Sequence, residues 1–259
     1  MARFFVDELP AAGTEYELAG ENAAHARVLR LKPGEEVTLC DGAGFDCPCT
    51  VLEGVKLLAG LSLPARTEPR AEASVWLAFP KADKAEHVIQ KATELGADEI
   101  VLFPSRCCVS RPDEKSLGKK LERWQKIAQS AAEQSRRGRI PRVRALGSFD
   151  EALRKAAQAD LPILFYENEH ARRFRTELDA FFAARRPGPT SEAAPAPGNG
   201  APRPRIALMT GPEGGFAEEE IARAEAAGMK ICTLGSRILR CETAPLAALS
   251  ALMYAAGEM

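Results

Sequence analysis

Two stretches near the C-terminal end combine glycines with charged side chains. In LMTGPEGGFAEEEI, residues 208–221, the run Thr210, Gly211, Pro212, Glu213, Gly214, Gly215 follows an apolar segment and precedes a helical pattern. Glycines at such a place permit positive φ and close approach of backbone to a ligand. A glycine loop opening a helix is first of all a phosphate site. Here Glu213 and the run Glu218, Glu219, Glu220 put negative charge where an anion would sit, and neither a P-loop nor a G-x-G-x-x-G pattern occurs. The loop therefore suits a ligand that is neutral or cationic near the turn and that reads backbone groups. The plain alternative is a tight turn with an acidic first helical turn matched to the macrodipole. A second stretch, TLGSRILRCETAPLAALS at residues 233–250, repeats the arrangement with Gly235, then Arg237, Arg240 and Glu242, ahead of a helix that Thr243 can cap with Pro245 in its first turn. Two strand-end loops with convergent polar residues at one sheet edge describe a small-molecule pocket.

The elements that must hold these loops are legible in the periodicity. From residue 74, SVWLAF, DEIVLFP, LPILFYEN, RIALMTG and KICTLG read as strands, each followed by a helical pattern. In KADKAEHVIQKATELG the residues Ala85, Val88, Ile89, Ala92 and Leu95 recur at helical spacing, with Gly96 as the stop. Leu117, Leu121, Trp124 and Ala128 mark one face of a long helix, and Ser148 with Glu151 forms a capping-box pattern. Strands alternating with helices imply an α/β domain built on a mainly parallel sheet covered on both faces. Residues 1–70 differ, with short β-rich runs, turn signals and one helical stretch, ENAAHARVLRL, as expected of a small barrel. PARTEPRAEA has the makeup of a boundary, giving domains of 1–70 and 71–259. A Pro/Ala/Gly-rich segment at about 186–205 has almost nothing to bury and reads as a flexible insertion.

Composition narrows the class. A chain of 259 residues with 46% hydrophobic and 27% charged residues has ample core, and a formal net charge of −1 means that affinity for nucleic acid must come from charge placement. Basic residues do cluster along the long helix and its exit, from Lys115 to Arg144, and EQSRRGRIPRVR has too few acids to balance Arg136, Arg137 and Arg139. Phosphate contact is the functional reading of that run, and a solvated helix face the plain one. The N-terminus MARFFVDELP lacks the pattern of a signal peptide, no apolar run reaches membrane length, and seven cysteines without a secretory leader suit reduced thiols, so the cytoplasm is the expected compartment. The histidines lie far apart, and Cys40, Cys47 and Cys49 lack the second pair a zinc site needs, so no metal is expected.

TGPEGGF followed by LGSRILRCETA, together with ARFFV, HARVLRLKPGE, KADKAEHVIQKATELG and RWQKIAQSAAEQSRRGRIP, closely resembles the RsmE family of 16S rRNA uridine-N3 methyltransferases of the SPOUT superfamily. The resemblance spans nearly the whole chain. SRCCVSRP departs from the acidic, serine-containing stretch common in the family, and Cys241 stands where threonine is common. What the resemblance implies is a SPOUT-type parallel sheet with a C-terminal trefoil knot, a PUA-like N-terminal barrel that binds RNA, and a homodimer acting on 16S rRNA of the small ribosomal subunit. It also implies S-adenosyl-L-methionine as cofactor. By position it makes Leu164, Tyr166, Gly211, Glu213, Gly214, Leu234, Gly235, Ile238 and Leu239 cofactor-contacting or pocket-forming residues. Arg240 is then the candidate for stabilising a uracil anion, and Glu242 for cofactor or proton handling. The RNA-contacting candidates are Arg3, Arg27, Arg30, Arg136, Arg137 and Arg139. Two other readings stay open: a non-catalytic RNA-binding assembly factor, and a related methyltransferase acting on tRNA or on ribose.

Overall fold

The computed structural model describes residues 2–81, 83–185 and 203–259. The expected flexible insertion at about 186–205 therefore lies almost entirely outside the described residues. The chain divides into two compact units, Met1–Glu68 with Ala132–Ile140, and Pro69–Ala131 with Pro141–Met259.

The first unit contains β1 (Ala2–Phe5), β2 (Glu15–Glu17), α1 (Gly20–Leu29), β3 (Glu36–Cys40), β4 (Phe45–Glu53), β5 (Lys56–Ala59) and β6 (Leu63–Pro64). The strands form one mixed sheet in the order β1-β3-β4-β5-β2, with β6 on β4. Only β1 with β3 is parallel. Alternation along β4 sends Cys47, Cys49 and Val51 into a core with Phe4, Leu39 and Leu57. Cys47 and Cys49 are packing groups there, their sulfurs 3.8 Å apart, and among the described residues no group of three or more His, Cys, Asp or Glu side chains is placed to hold a metal.

An ion pair and a hydrogen bond from Arg3 tie residues 132–140 into this unit. The Arg3 guanidinium grips Asp46 through both oxygens at 2.7 and 2.9 Å and donates to the Arg137 carbonyl at 3.2 Å. Arg137 is itself 2% exposed. Its guanidinium donates to Glu68 at 2.7 Å, and the same carboxylate accepts from the Gly138 and Arg139 backbone N–H groups at 2.9 and 3.0 Å.

The second unit contains β7 (Glu72–Ala78), α2 (Lys84–Glu94), β8 (Glu99–Phe103), α3 (Glu114–Gln134, up to Ala131), β9 (Arg142–Ala145), α4 (Phe149–Ala156), β10 (Leu161–Phe165), α5 (Phe174–Ala183), β11 (Arg205–Thr210), α6 (Glu218–Ala226), β12 (Lys230–Cys232) and α7 (Thr243–Ala255). All six strands run parallel in the order β12-β10-β11-β7-β8-β9. Both faces are buried, as the unbroken apolar runs require. Val75, Leu77, Ile163, Ile206 and Leu208 face one core shared with α2, α5 and α7, while Trp76, Leu164, Ala207 and Met209 face a second core shared with α4. α2 buries Ala85, Val88, Ile89 and Ala92, four of the five residues its spacing singles out, and the fifth, Leu95, is its half-buried C-cap. At its end Gly96 has φ +99°, and a Cβ there would stand 2.7 Å from Pro69 Cγ. Ser148 caps α4 by accepting from Glu151 N–H at 3.1 Å. The Glu151 carboxylate completes no box and pairs with Lys155. α7 also begins one residue earlier than expected, since Glu242 holds the cap position and Thr243 is the first helical residue.

Candidate active site

In open parallel sheets ligands settle beyond the carboxyl ends of the strands. A cavity of about 630 Å³ lies there, lined by the ends and following loops of β10, β11 and β12. That size falls within the roughly 300–1,000 Å³ of small-molecule sites. A smaller cavity of about 370 Å³ lies at the opposite strand ends, where Arg144, Lys155 and Arg205 face Glu72, Asp98 and Glu99.

The first glycine loop turns on a hydrogen bond from Gly215 N–H to the Pro212 carbonyl at 3.0 Å, with Gly215 at φ +67°. A Cβ at Gly215 would stand 2.1 Å from Glu167 Oε1, so this glycine is the reason the Glu167 carboxylate fits against the turn. Gly211 is less tight, its missing Cβ lying 3.2 Å from Gly215 C and 3.3 Å from Phe216 Cδ2. Gly235, at φ +116°, bends the second loop, and its N–H donates to Thr233 Oγ1 at 3.1 Å.

The structure brings most of the sequence-derived cofactor set together. Tyr166, Gly211, Glu213, Leu234, Gly235, Ile238 and Leu239 line the cavity, with Arg240 on the same wall. Two residues stand behind it. Leu164 is fully buried in the second core, one residue short of the end of β10, while Phe165 and Tyr166 at that end reach the cavity. Gly214 packs on the departing SRCCVSRP segment instead, where a Cβ would come within 3.0 Å of Cys107 Cβ.

Glu242 does not line the cavity either. Its carboxylate accepts from Cys241 Sγ at 3.2 Å and pairs with Lys84 Nζ at 3.1 Å. Arg240, by contrast, is exposed, and its guanidinium has no hydrogen-bonding or ion-pairing partner among the described residues. The acidic run at 218–220 also behaves differently from its sequence reading. Glu220 is 1% exposed and folds back to accept from the backbone N–H groups of Ala217 (3.0 Å) and Arg106 (2.8 Å) and from Ser105 Oγ (3.2 Å). Glu219 pairs with Arg106. Glu213 is thus the member of the acidic set that faces the ligand space.

Sequence reasoning missed Lys84, Glu167 and His170, all on the cavity wall. Lys84 Nζ lies 3.0 Å from Glu213 Oε1, 3.1 Å from Glu242 Oε2 and 3.7 Å from Cys241 Sγ, and Lys81 N–H donates to Glu213 at 3.0 Å. Hydrogen bonds to Glu213 and Glu242 raise the Lys84 proton affinity. Burial pushes the Glu213 carboxyl up, but Lys84 and the Lys81 N–H outweigh it and hold the group at about 2. Glu242 is likewise held low: its own backbone N–H, the Cys241 thiol and Lys84 overcome burial. Burial and Glu242 push the Cys241 thiol up to about 12, so it stays protonated.

The RNA candidates separate by exposure. Arg27 and Arg30 at the end of α1, and Arg136, are exposed, while Arg139 is half-buried. Arg3 and Arg137 have their guanidinium groups committed to Asp46 and Glu68, and Arg137 is too buried to meet a phosphate.

Comparison with known proteins agrees with this geometry. Residues 67–253 match the model of an RNA methyltransferase domain, and residues 18–56 match that of an RNA methyltransferase PUA domain. The chain is 34% identical, over 98% of its length and 96% of the relative's, to the ribosomal RNA small subunit methyltransferase E of Bacillus subtilis. It resembles the solved structure of a ribosomal RNA small subunit methyltransferase E from Neisseria gonorrhoeae bound to S-adenosyl methionine, with TM-score 0.75 and 30% identity over 98% of this chain and 97% of that one. A putative methyltransferase from Legionella pneumophila, also solved with bound S-adenosylmethionine, gives TM-score 0.78 and 27% identity over 98% and 97% of the two chains. With its domain model, its full-length relatives and its two glycine loops in agreement, the chain belongs to the ribosomal RNA small subunit methyltransferase E family.

Proposed function

We propose that the protein is an S-adenosylmethionine-dependent methyltransferase that methylates N3 of a uridine in 16S rRNA of the small ribosomal subunit. The observation that carries this reading is the cavity at the ends of β10, β11 and β12, walled by two glycine loops and rimmed by Arg240. Its residues suit the donor: the Glu213 and Glu167 carboxylates complement a cationic sulfur, and the backbone from Leu234 to Leu239 offers hydrogen-bonding groups to a flat base. When bound, the donor supplies a methyl group on that sulfur.

The rest of the chemistry belongs to this chain. Uracil N3 must pass a proton, whose pKa lies well above neutral, to solvent water at the exposed rim, and negative charge then develops on the ring oxygens. Arg240, exposed at the cavity, is the cation that stabilises that charge. Glu242, whose proton affinity is weakened by its partners, makes a poor base and contributes its charge to Lys84 instead. Holding donor and base in line supplies much of the remaining acceleration.

Arg27, Arg30, Arg136 and Arg139 are the phosphate contacts of this reading. The N-terminal domain, residues 1–70, acts as a PUA-like RNA-binding barrel, a reading supported by the PUA match at 18–56. Residues 71–259 form the SPOUT domain with its trefoil knot, and the protein works as a cytoplasmic homodimer; family likeness supports these points. The test is mass spectrometry of nucleosides from small subunits lacking the modification, after incubation with the protein and labelled S-adenosylmethionine. Labelled 3-methyluridine is expected. Donor binding without it points to another RNA target, and absence of both points to an assembly factor without catalysis.

A further inference from the structure

We propose that Lys84 is a positioning residue for methyl transfer: its ammonium pins the loop carrying Arg240 by holding Glu242, and so sets where the Arg240 cation stands at the cavity. The inference rests on the proposed function of that cavity. Lys84 opens α2, whose Ala85, Val88 and Ile89 are buried, so its backbone is fixed by the core. Of the segments it reaches, Glu213 lies in the turn between β11 and α6, and Glu242 holds the cap position of α7 at the end of the stretch that leaves β12. One nitrogen thus joins segments that follow β7, β11 and β12, all within 3.1 Å.

The two loops depend on this cation unequally. Glu213 has a second anchor, the Lys81 N–H at 3.0 Å, so the first glycine loop keeps a tether to the β7–α2 connection without Lys84. Glu242 has no such backbone anchor from another segment among the described residues; apart from Lys84 its carboxylate meets its own backbone N–H and the adjacent Cys241 thiol. Removing the ammonium also leaves Glu213 and Glu242 facing one another as uncompensated like charges. The second loop is the one that yields. Arg240 lies two residues before Glu242, and its carbonyl accepts from Thr243 and Ala244 N–H at 2.8 and 2.9 Å, so displacement of Glu242 carries Arg240 with it. The donor-facing Glu213 stays in place.

A split in kinetic effects follows. Lys84→Met keeps an unbranched apolar stem and deletes the ammonium. We expect kcat to fall on the order of 10²-fold, the scale on which a displacement of about 1 Å is felt. The Kd for S-adenosylmethionine, measured by calorimetry, rises by a smaller factor than kcat falls, because the loop that yields also carries Leu234 to Leu239 while Glu213 keeps its place at the donor. Lys84→Arg restores most of kcat. Glu242→Gln reproduces the loss, and Lys84→Met with Glu242→Gln is no worse than either alone, since both break one link. Hydrogen exchange should quicken at 240–244 more than at 211–215. A Lys84→Met enzyme with kcat within twofold of wild type overturns the inference, as does a loss that Lys84→Arg fails to rescue and that tracks a fall in thermal midpoint. Wild-type protein that neither binds nor uses the donor overturns the functional reading instead, and the inference with it.

Discussion

The run Arg136, Gly138, Arg139 with Arg137 between them looks like a uniform basic patch, yet Arg137 should behave unlike its neighbours. Its guanidinium is bound to Glu68 at 2.7 Å with side chains 3% and 7% exposed. Deleting one member of a buried ion pair costs about 3–5 kcal/mol because the other is left charged and unpaired. Glu68 would keep the Gly138 and Arg139 N–H groups, which places Arg137→Met at the lower end, about 3 kcal/mol. At about 4–8 °C per kcal/mol for a domain of 60–100 residues, the transition of the first unit should drop by at least about 12 °C in differential scanning calorimetry. Arg136→Met, at an exposed position, should change stability by less than about 0.5 kcal/mol. The binding assay should show the reverse order. Arg136→Met lowers the slope of log K against log salt by about 0.7 for a lost single-strand phosphate contact. Glu68→Gln, which keeps the Arg137 charge, should destabilise the unit as Arg137→Met does, and the double variant should be less damaged than the sum of the two. An Arg137→Met protein that melts within about 3 °C of wild type and loses salt slope as Arg136→Met does would show that the buried pair is not what Arg137 is for.

Three further outcomes are expected. Arg240→Met should lower kcat by about 10²–10³-fold with donor binding retained, the scale of losing one charge-stabilising donor; a change within threefold in single-turnover assays rules out its proposed role. Glu213 is held at about 2 in the folded protein against an ordinary 4.5, so its share of stability is present above pH 4.5 and disappears as pH falls toward 2. The thermal midpoint of wild type should therefore fall more steeply than that of Glu213→Gln across that window, and parallel curves would contradict it. Gly215→Ala should cost about 1–2 kcal/mol through its positive φ alone, and it must also push Glu167 off the turn; a urea midpoint equal to wild type would refute both.

The sheet was open to sequence reading because its strands are buried on both faces and its helices carry clean 3.6-residue spacing, as in Ala85, Val88, Ile89 and Ala92. The glycine loops were open for a similar reason, since each follows such a strand. What stayed hidden depends on contacts distant in sequence. Lys81 and Glu213 are 132 residues apart, Arg137 and Glu68 are 69 apart, and nothing local separates Lys84 from any lysine in a first helical turn. Leu164 is a different failure: taking Leu164 and Tyr166 together as lining residues ignores depth along the strand, for Leu164 lies within β10 and faces the core while Tyr166 lies just past its end. The family resemblance supplied the cofactor set but not the order in which its charges pair.

That order bears on how the protein finds RNA. The near-zero net charge conceals the fact that several cations are consumed internally: Arg3 by Asp46, Arg137 by Glu68, Arg203 by Asp98 and Glu72, and Lys84 by Glu213 and Glu242. In the first unit, Arg27, Arg30 and Arg136 are the exposed members of the proposed RNA-contacting set. These three contacts alone give a shallow salt dependence, and further exposed cations such as Lys119 and Lys120 stand on α3. Only 6% of residues are aromatic, so stacking on splayed bases adds little. On the proposed function, discrimination must then come from the shape of a folded target that meets several of these cations at once. An assembled small subunit offers such a surface, whereas a short single strand carrying the same uridine does not. The strand should therefore be the poorer substrate through KM rather than through kcat, because Arg240 and the loop that carries it are set by Glu242 and Lys84 inside the protein and not by the RNA.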